Sequence, residues 1–235
     1  MVPGPRSSRQ RVSTLPVVLG RVAIFDLDRT MVPGSSLVDL ARLLAARRLL
    51  RRRTVLRHIA ANQSFARNGA RDGKVDQLRR AALNAMSGCD HTQLIEVAHE
   101  AGRAVAERAY PGARWLLDRH RSDGDFCVLL SAAPQELVDA VAAALGVHRA
   151  VGTRGAVRAG RLTGELDGPF CYGEGKLTRL ASEVGPIDFS TASAYADSAS
   201  DLPLLKACGH PVAINPDRRL RRHADAAGWP VLRFD

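Results

Sequence analysis

Short apolar runs recur along this chain: Arg21-Val22-Ala23-Ile24-Phe25, Phe126-Cys127-Val128-Leu129-Leu130, Ala150-Val151-Gly152, Ala192-Ser193-Ala194-Tyr195-Ala196 and Val212-Ala213-Ile214. A strand with one wet face alternates apolar and polar side chains, whereas a strand covered on both faces is apolar nearly throughout. These runs are too short for helices and read as buried strands. Between them, residues 113–120, 134–145, 176–184, 202–207 and 218–227 carry helical spacing. A Gly-punctuated hairpin is expected over residues 157–166 and a last strand over residues 231–234. Alternation of this kind predicts an α/β fold, a Rossmann-like parallel sheet with helices on both faces.

The alternation breaks once. From Ser36 to about Arg108, Leu37, Leu40, Leu43 and Leu44, then Val55, Ile59, Leu78, Leu83 and Met86, then Leu94, Val97 and Val105 recur at helical spacing with no strand signal. The pattern predicts an all-α cap domain over residues 36–109, inserted into a core domain of residues 19–35 and 110–235. A loose Pro-, Ser- and Arg-rich tail precedes it over residues 1–18. No apolar run approaches the roughly 20 residues that span a bilayer. Cys89, Cys127, Cys171 and Cys208 form no CxxC pair and read as buried thiols in a reducing compartment, so a cytoplasmic location is expected.

In such sheets, sites lie beyond the carboxyl ends of strands, so the polar residues that follow the apolar runs carry the argument. Asp26-Leu27-Asp28-Arg29-Thr30 follows the first run. One carboxylate can attack while the other handles a proton, although an aspartate pair in a turn also serves as a cap. Ser131-Ala132 follows the second run, where a hydroxyl and backbone N–H groups near a helix start suit a phosphate oxygen or an ordinary N-cap. Lys176, after Gly173-Glu174-Gly175, opens a helix against its dipole, so it either faces solvent or is compensated elsewhere. In Asp197-Ser198-Ala199-Ser200-Asp201, two carboxylates four apart can ligate a hard cation such as Mg2+ or cap the next helix.

In this order, the four stretches resemble the four motifs of the haloacid dehalogenase superfamily, most nearly its phosphoserine-phosphatase-like subfamily with a helical cap after the first motif. Tyr110-Pro111-Gly112-Ala113, Gly173-Glu174-Gly175-Lys176 and Ser200-Asp201-Leu202-Pro203-Leu204-Leu205 support the match, which runs from about Arg21 to the C-terminus. The resemblance implies a Mg2+-dependent phosphatase acting on a small phosphorylated metabolite. Asp26 is then the nucleophile that forms an aspartyl-phosphate, and Asp28 the general acid and base. Mg2+ is held by Asp26, the backbone carbonyl of Asp28 and Asp197, with Asp201 in support. Ser131, Ala132, Lys176 and Thr30 surround the phosphoryl group. Arg29 replaces a common glycine and either binds an anionic substrate group or points to solvent. Ser35 stands where phosphoserine phosphatases carry a glutamate for the substrate's amino group, which argues against phosphoserine.

The net charge of +10 comes mostly from arginine, densest in Arg47-Arg48-Leu49-Leu50-Arg51-Arg52-Arg53 with Arg57. That run reads as a solvated helix face or as a weak contact with an anionic membrane surface. No specific nucleic-acid partner is expected. Two other functions fit the sequence: a phosphotransferase using the same aspartyl-phosphate, and a non-catalytic module that binds polyanions. The full set Asp26, Asp28, Ser131, Lys176 and Asp197 argues against the second.

Overall fold

The computed structural model describes residues 20–50 and 72–235. Its elements are β1 (Val22–Phe25), α1 (Ser36–Ala46), α2 (Asp72–Met86), α3 (His91–Glu107), α4 (Pro111–Ser122), β2 (Phe126–Pro134), α5 (Gln135–Leu145) and β3 (Arg149–Thr153). The hairpin β4 (Gly155–Arg158) and β5 (Arg161–Leu166) follows, then α6 (Glu174–Val184), β6 (Ser193–Ala196), a 3-10 turn (Ala199–Asp201), α7 (Leu202–Ala207), β7 (His210–Ile214), α8 (Arg218–Ala227) and β8 (Val231–Leu232).

Six strands form one parallel sheet in the order β3-β2-β1-β6-β7-β8. The chain winds outward one way from β1 and the other way from β6. A crevice therefore opens between the carboxyl ends of these two central strands. β1 is apolar throughout because both its faces are covered. Ala23 and Phe25 pack with Leu129, Val141 and Tyr195 on one side, while Val22 and Ile24 pack with Val128, Leu130 and Ala194 on the other.

The first of these layers also contains Leu40 and Leu44 of α1 and Leu94, Val97, Ala101 and Val105 of α3. Two of the helices from the inserted stretch are thus built into the sheet's own core. At Gly102, α3 lies so close to α5 that a Cβ would run into Ala140, with the Ala140 carbonyl carbon and the Val141 nitrogen only 3.0 Å from it.

Several boundaries differ from the sequence reading. β2 continues past Ser131 to Pro134, and its ladder with β3 shifts register between Leu130 and Pro134. The chain from Ser131 to Ala133 thus stays extended at the crevice, and Pro134 caps α5 instead of opening it. The hairpin turns through Ala159 and Gly160, both at positive φ (48° and 74°). The last strand stops at Leu232 because the sheet offers it only two paired residues of β7. Arg47 reaches Glu100 at 2.6 Å. Arg51, Arg52, Arg53, Arg57, Val55, Ile59 and residues 1–18 lie outside the described residues. Among the described residues, no helix is long and apolar enough to cross a membrane.

Replacing Gly102 by valine forces α3 and α5 apart. The expected cost is about 1–3 kcal/mol of stability, the usual range for overpacking a tight contact. Urea or thermal unfolding measures it, and an unchanged midpoint would show that the two helices have room to spare.

Candidate active site

Asp26 is the first residue beyond β1, and its N–H still donates to the Tyr195 carbonyl of β6 at 2.9 Å. The sheet ladder therefore fixes the backbone that carries it. The turn that follows is wound on one acceptor, the Leu27 carbonyl, which takes the N–H groups of Thr30, Met31 and Val32 at 3.3, 2.9 and 3.2 Å. This winding puts Arg29 at φ 61°, a left-handed conformation that glycine adopts at least cost. It also returns Thr30 beneath the carboxylate, where Thr30 Oγ1 donates to Asp26 Oδ2 at 3.2 Å.

The other oxygen of Asp26 accepts from Lys176 Nζ at 2.6 Å, and the same ammonium stands 2.8 Å from Asp201 Oδ1. Lys176 reaches this position because α6 begins under the Phe170 carbonyl, at a point where a side chain on Gly175 would collide with that oxygen. Burial alone would favour the neutral amine, but Asp201 and Asp26 outweigh it and push the Lys176 pKa up. It stays charged. The unfavourable placement of a cation at a helix start is compensated by two carboxylates.

Asp28 turns the other way. Its Oδ1 accepts the Ser36 N–H of α1 at 2.8 Å, and its Oδ2 accepts from Ser35 Oγ at 3.3 Å. The carboxylate sits on a helix N-terminus, which favours negative charge. Burial is the larger influence, and with the nearby charge of Asp26 it raises the Asp28 pKa above the ordinary carboxylate value despite the Ser36 bonds.

Asp197 follows β6 as Asp26 follows β1. Its Oδ2 pairs with Arg29 Nε at 2.6 Å, and its carbonyl accepts the Asp217 N–H at 2.7 Å. Arg29 thus gains a partner that its sequence position did not announce. Its left-handed backbone swings the guanidinium across the crevice onto Asp197. Burial and the neighbouring Asp26 hold the Asp197 pKa well above the usual range, with Arg29 pulling against them. Asp201 is raised to about 6 by burial, which the Lys176 charge only partly offsets.

Ser131 is buried, and its Oγ accepts the Ala133 N–H at 3.2 Å. Phe25 pairs with Leu129, so Asp26 and Ser131 leave adjacent strands within one residue of the same level. The Ala132 carbonyl accepts from Thr153 Oγ1 at 2.8 Å, which ties this extended segment to the end of β3.

Asp26, Asp197 and Asp201 each offer an oxygen, all within 4.8 Å of one another. Hard carboxylate oxygens at this spacing suit Mg2+. When all are ionised, the four carboxylates of Asp26, Asp28, Asp197 and Asp201 against the two cations Lys176 and Arg29 leave two negative charges, the complement of one divalent ion. Because the Asp28 side chain faces α1, only its backbone is left for such an ion.

Two contributors escaped the sequence reading. Asn215, at φ 44°, donates its amide to the Arg29 carbonyl at 3.3 Å and accepts the Phe234 N–H at 2.9 Å. Asp217 caps α8 and holds the Asp197 loop through Ser198 Oγ at 3.1 Å and the Ala199 N–H at 3.0 Å. The available signal was their place directly beyond the apolar run Val212-Ala213-Ile214, the same place that marked Asp26 and Asp197.

The family model described as haloacid dehalogenase-like hydrolase matches residues 23–206. A probable phosphatase of Mycobacterium tuberculosis is 38% identical over 217 residues, covering 90% of this chain and 75% of that protein. A phosphoserine phosphatase of the same organism is 34% identical, covering 99% of this chain and 77% of its own. Among solved structures, a Bordetella pertussis protein of unknown function superposes with a TM-score of 0.76 at 28% identity, covering 92% of this chain and 99% of that one.

Metal ions and protons compete for the same three carboxylates, and Asp201 releases its proton only near pH 6. In the metal-free protein a raised pKa contributes stability at low pH that is lost as pH rises through about 6. Mg2+ is therefore expected to raise the melting temperature more at pH 7.5 than at pH 5. Stabilisation reaches ~2.7 kcal/mol at a hundredfold excess over Kd. Thermal unfolding with and without Mg2+ at the two pH values reads this directly. An equal or larger shift at pH 5 would contradict a carboxylate site.

Proposed function

The chain belongs to the haloacid dehalogenase-like hydrolase family, and from that premise we propose a Mg2+-dependent phosphatase that cleaves a small phosphomonoester through an aspartyl-phosphate on Asp26. The observation that carries this reading is the Lys176 ammonium between Asp26 and Asp201 in a buried crevice at the sheet's switch point. The phosphatases among its relatives support the reaction class. The four cysteines are free thiols, which supports a cytoplasmic setting.

In this reading, Lys176 and Thr30 hold the plane of the Asp26 carboxylate as it attacks phosphorus. The new bond joins an Asp26 oxygen to phosphorus, and the ester P–O bond breaks on the opposite side. Asp28 gives its proton to the departing alkoxide, a role suited to a carboxyl whose pKa is raised. A water then attacks the phosphoryl group, returns a proton to Asp28 and releases Asp26 with inorganic phosphate. Ser131 and the Ala132 backbone line the phosphoryl side, and Arg29 steadies Asp197. Asp26, Asp197 and the Asp28 carbonyl, with Asp201 in support, would hold Mg2+, which would supply the positive charge that lets two anions approach. The helical insertion of residues 36–109 serves as the cap on the leaving-group side. Its α1 fixes Asp28 through Ser35 and Ser36.

Asp26→Asn is expected to abolish release of phosphate from acetyl phosphate while the protein still folds, with a melting temperature lowered by loss of the buried Lys176 pair. Asp28→Asn is expected to lower kcat by about 10²–10⁴, with the larger loss for poor leaving groups, since those need the proton most. A phosphate-release assay beside thermal unfolding gives both numbers. Turnover retained by Asp26→Asn would defeat the mechanism.

A further inference from the structure

The phosphoryl half of the crevice is crowded with charge, but what lies on the other side of Asp28 is not. A cavity of about 300 Å³ opens there, walled by α1, α2, α3, the hairpin strand β5 and the extended end of β2. Its walls are mainly aliphatic: Leu40 and Leu44 of α1, Leu78 and Ala82 of α2, and Leu162 and Leu166 of β5 are representative. Small side chains make the room, since Ala41, Ala82, Ala85, Ala132 and Ala133 all face it.

Among the described residues, four charged ones touch the cavity: Asp28, Arg79, Glu136 and Glu165. Asp28 is the acid. Glu136 is paired with His91 at 2.8 Å, and the Arg79 guanidinium lies over the Phe170 ring, 5.6 Å from its centroid. A leaving group with its own carboxylate would face three acidic side chains and one arginine. A charged or strongly polar body would also lose its hydration against aliphatic walls, an expensive exchange unless every polar atom is met. The Ser35 hydroxyl on this wall already donates to Asp28.

We infer that the substrate's leaving alcohol carries an uncharged apolar body, an alkyl or aryl chain that fills this cavity while its ester oxygen rests on Asp28. The inference rests on the phosphatase reading above and adds the substrate class. At roughly 30 Å³ per water-sized group, the cavity takes a chain of about six to ten carbon atoms. It lies at the small end of ordinary ligand pockets, which begin near 300 Å³. The proton donor and the cavity share Asp28, so a chain seated among the leucines also positions the oxygen that leaves.

The test measures kcat/KM with Mg2+ for methyl, butyl, hexyl, octyl and dodecyl phosphates, with O-phosphoserine and acetyl phosphate alongside. The expected result is a rise of about fourfold per methylene, as for buried hydrocarbon, levelling off between six and ten carbons, with O-phosphoserine far below hexyl phosphate. Ala82→Phe, which narrows the cavity, should move the plateau to shorter chains. Should that variant fail to fold, the chain-length series on the unmodified protein decides alone. Rates that are flat with chain length, or that favour O-phosphoserine, would overturn the apolar leaving group while acetyl phosphate turnover leaves the phosphatase reading standing. No phosphate from any of these compounds, acetyl phosphate included, would overturn both.

Discussion

One buried ammonium organises the catalytic end of this molecule. Lys176 is 3% exposed and bridges Asp26 and Asp201, themselves 7% and 2% exposed. Burying three charges is costly unless their geometry is good, and removing one partner strands the others. The geometry here is set by three backbones that meet at the switch point: the end of β1, the 3-10 turn after β6 and the first turn of α6. Each is fixed by something other than the charges. The ladder holds Asp26, Asp217 holds the Asp197 loop, and Gly175 lets α6 start against Phe170. The site is thereby assembled before any substrate arrives, which is what electrostatic catalysis requires.

A second coupling runs outward from that centre. Asp28 is one residue beyond Leu27 on the same tight turn, yet its carboxylate belongs to α1. The proposed proton donor is therefore attached to the helix that also supplies leucines to the apolar cavity. Because α1 and α3 share the core with Phe25 and Leu129, this wall packs on the strand that precedes Asp26. In the proposed mechanism leaving-group recognition and proton delivery share α1. The extended segment at the register shift in β2 then serves both sides, Ser131 facing the phosphoryl group and Ala132 and Ala133 the cavity.

The strands were legible because burial on both faces leaves no polar alternation. The carboxylates stood out because each follows such a strand. What could not be read was contact between distant loops. Arg29 meets Asp197 only because its backbone is left-handed, a property that an arginine in a sequence does not advertise. Asn215 and Asp217 carried no reading of their own until the sheet order placed β7 beside β6. The helical spacing of α1 and α3 announced two amphipathic helices but not that they would join the sheet's core. The cavity was invisible for a related reason: its leucines and alanines come from separate elements and look like core residues in any one of them.

The central claim is that the charges converge so as to make Asp26, and no other group, the acceptor of the phosphoryl group. Acid quenching during turnover of acetyl phosphate, followed by digestion and mass spectrometry, tests it most directly. The account predicts a single phosphoryl adduct, on the peptide that contains Asp26, formed in the presence of Mg2+ and absent from Lys176→Met. An adduct on any other residue, or steady turnover with no adduct trapped on Asp26 at any quench time, would contradict it.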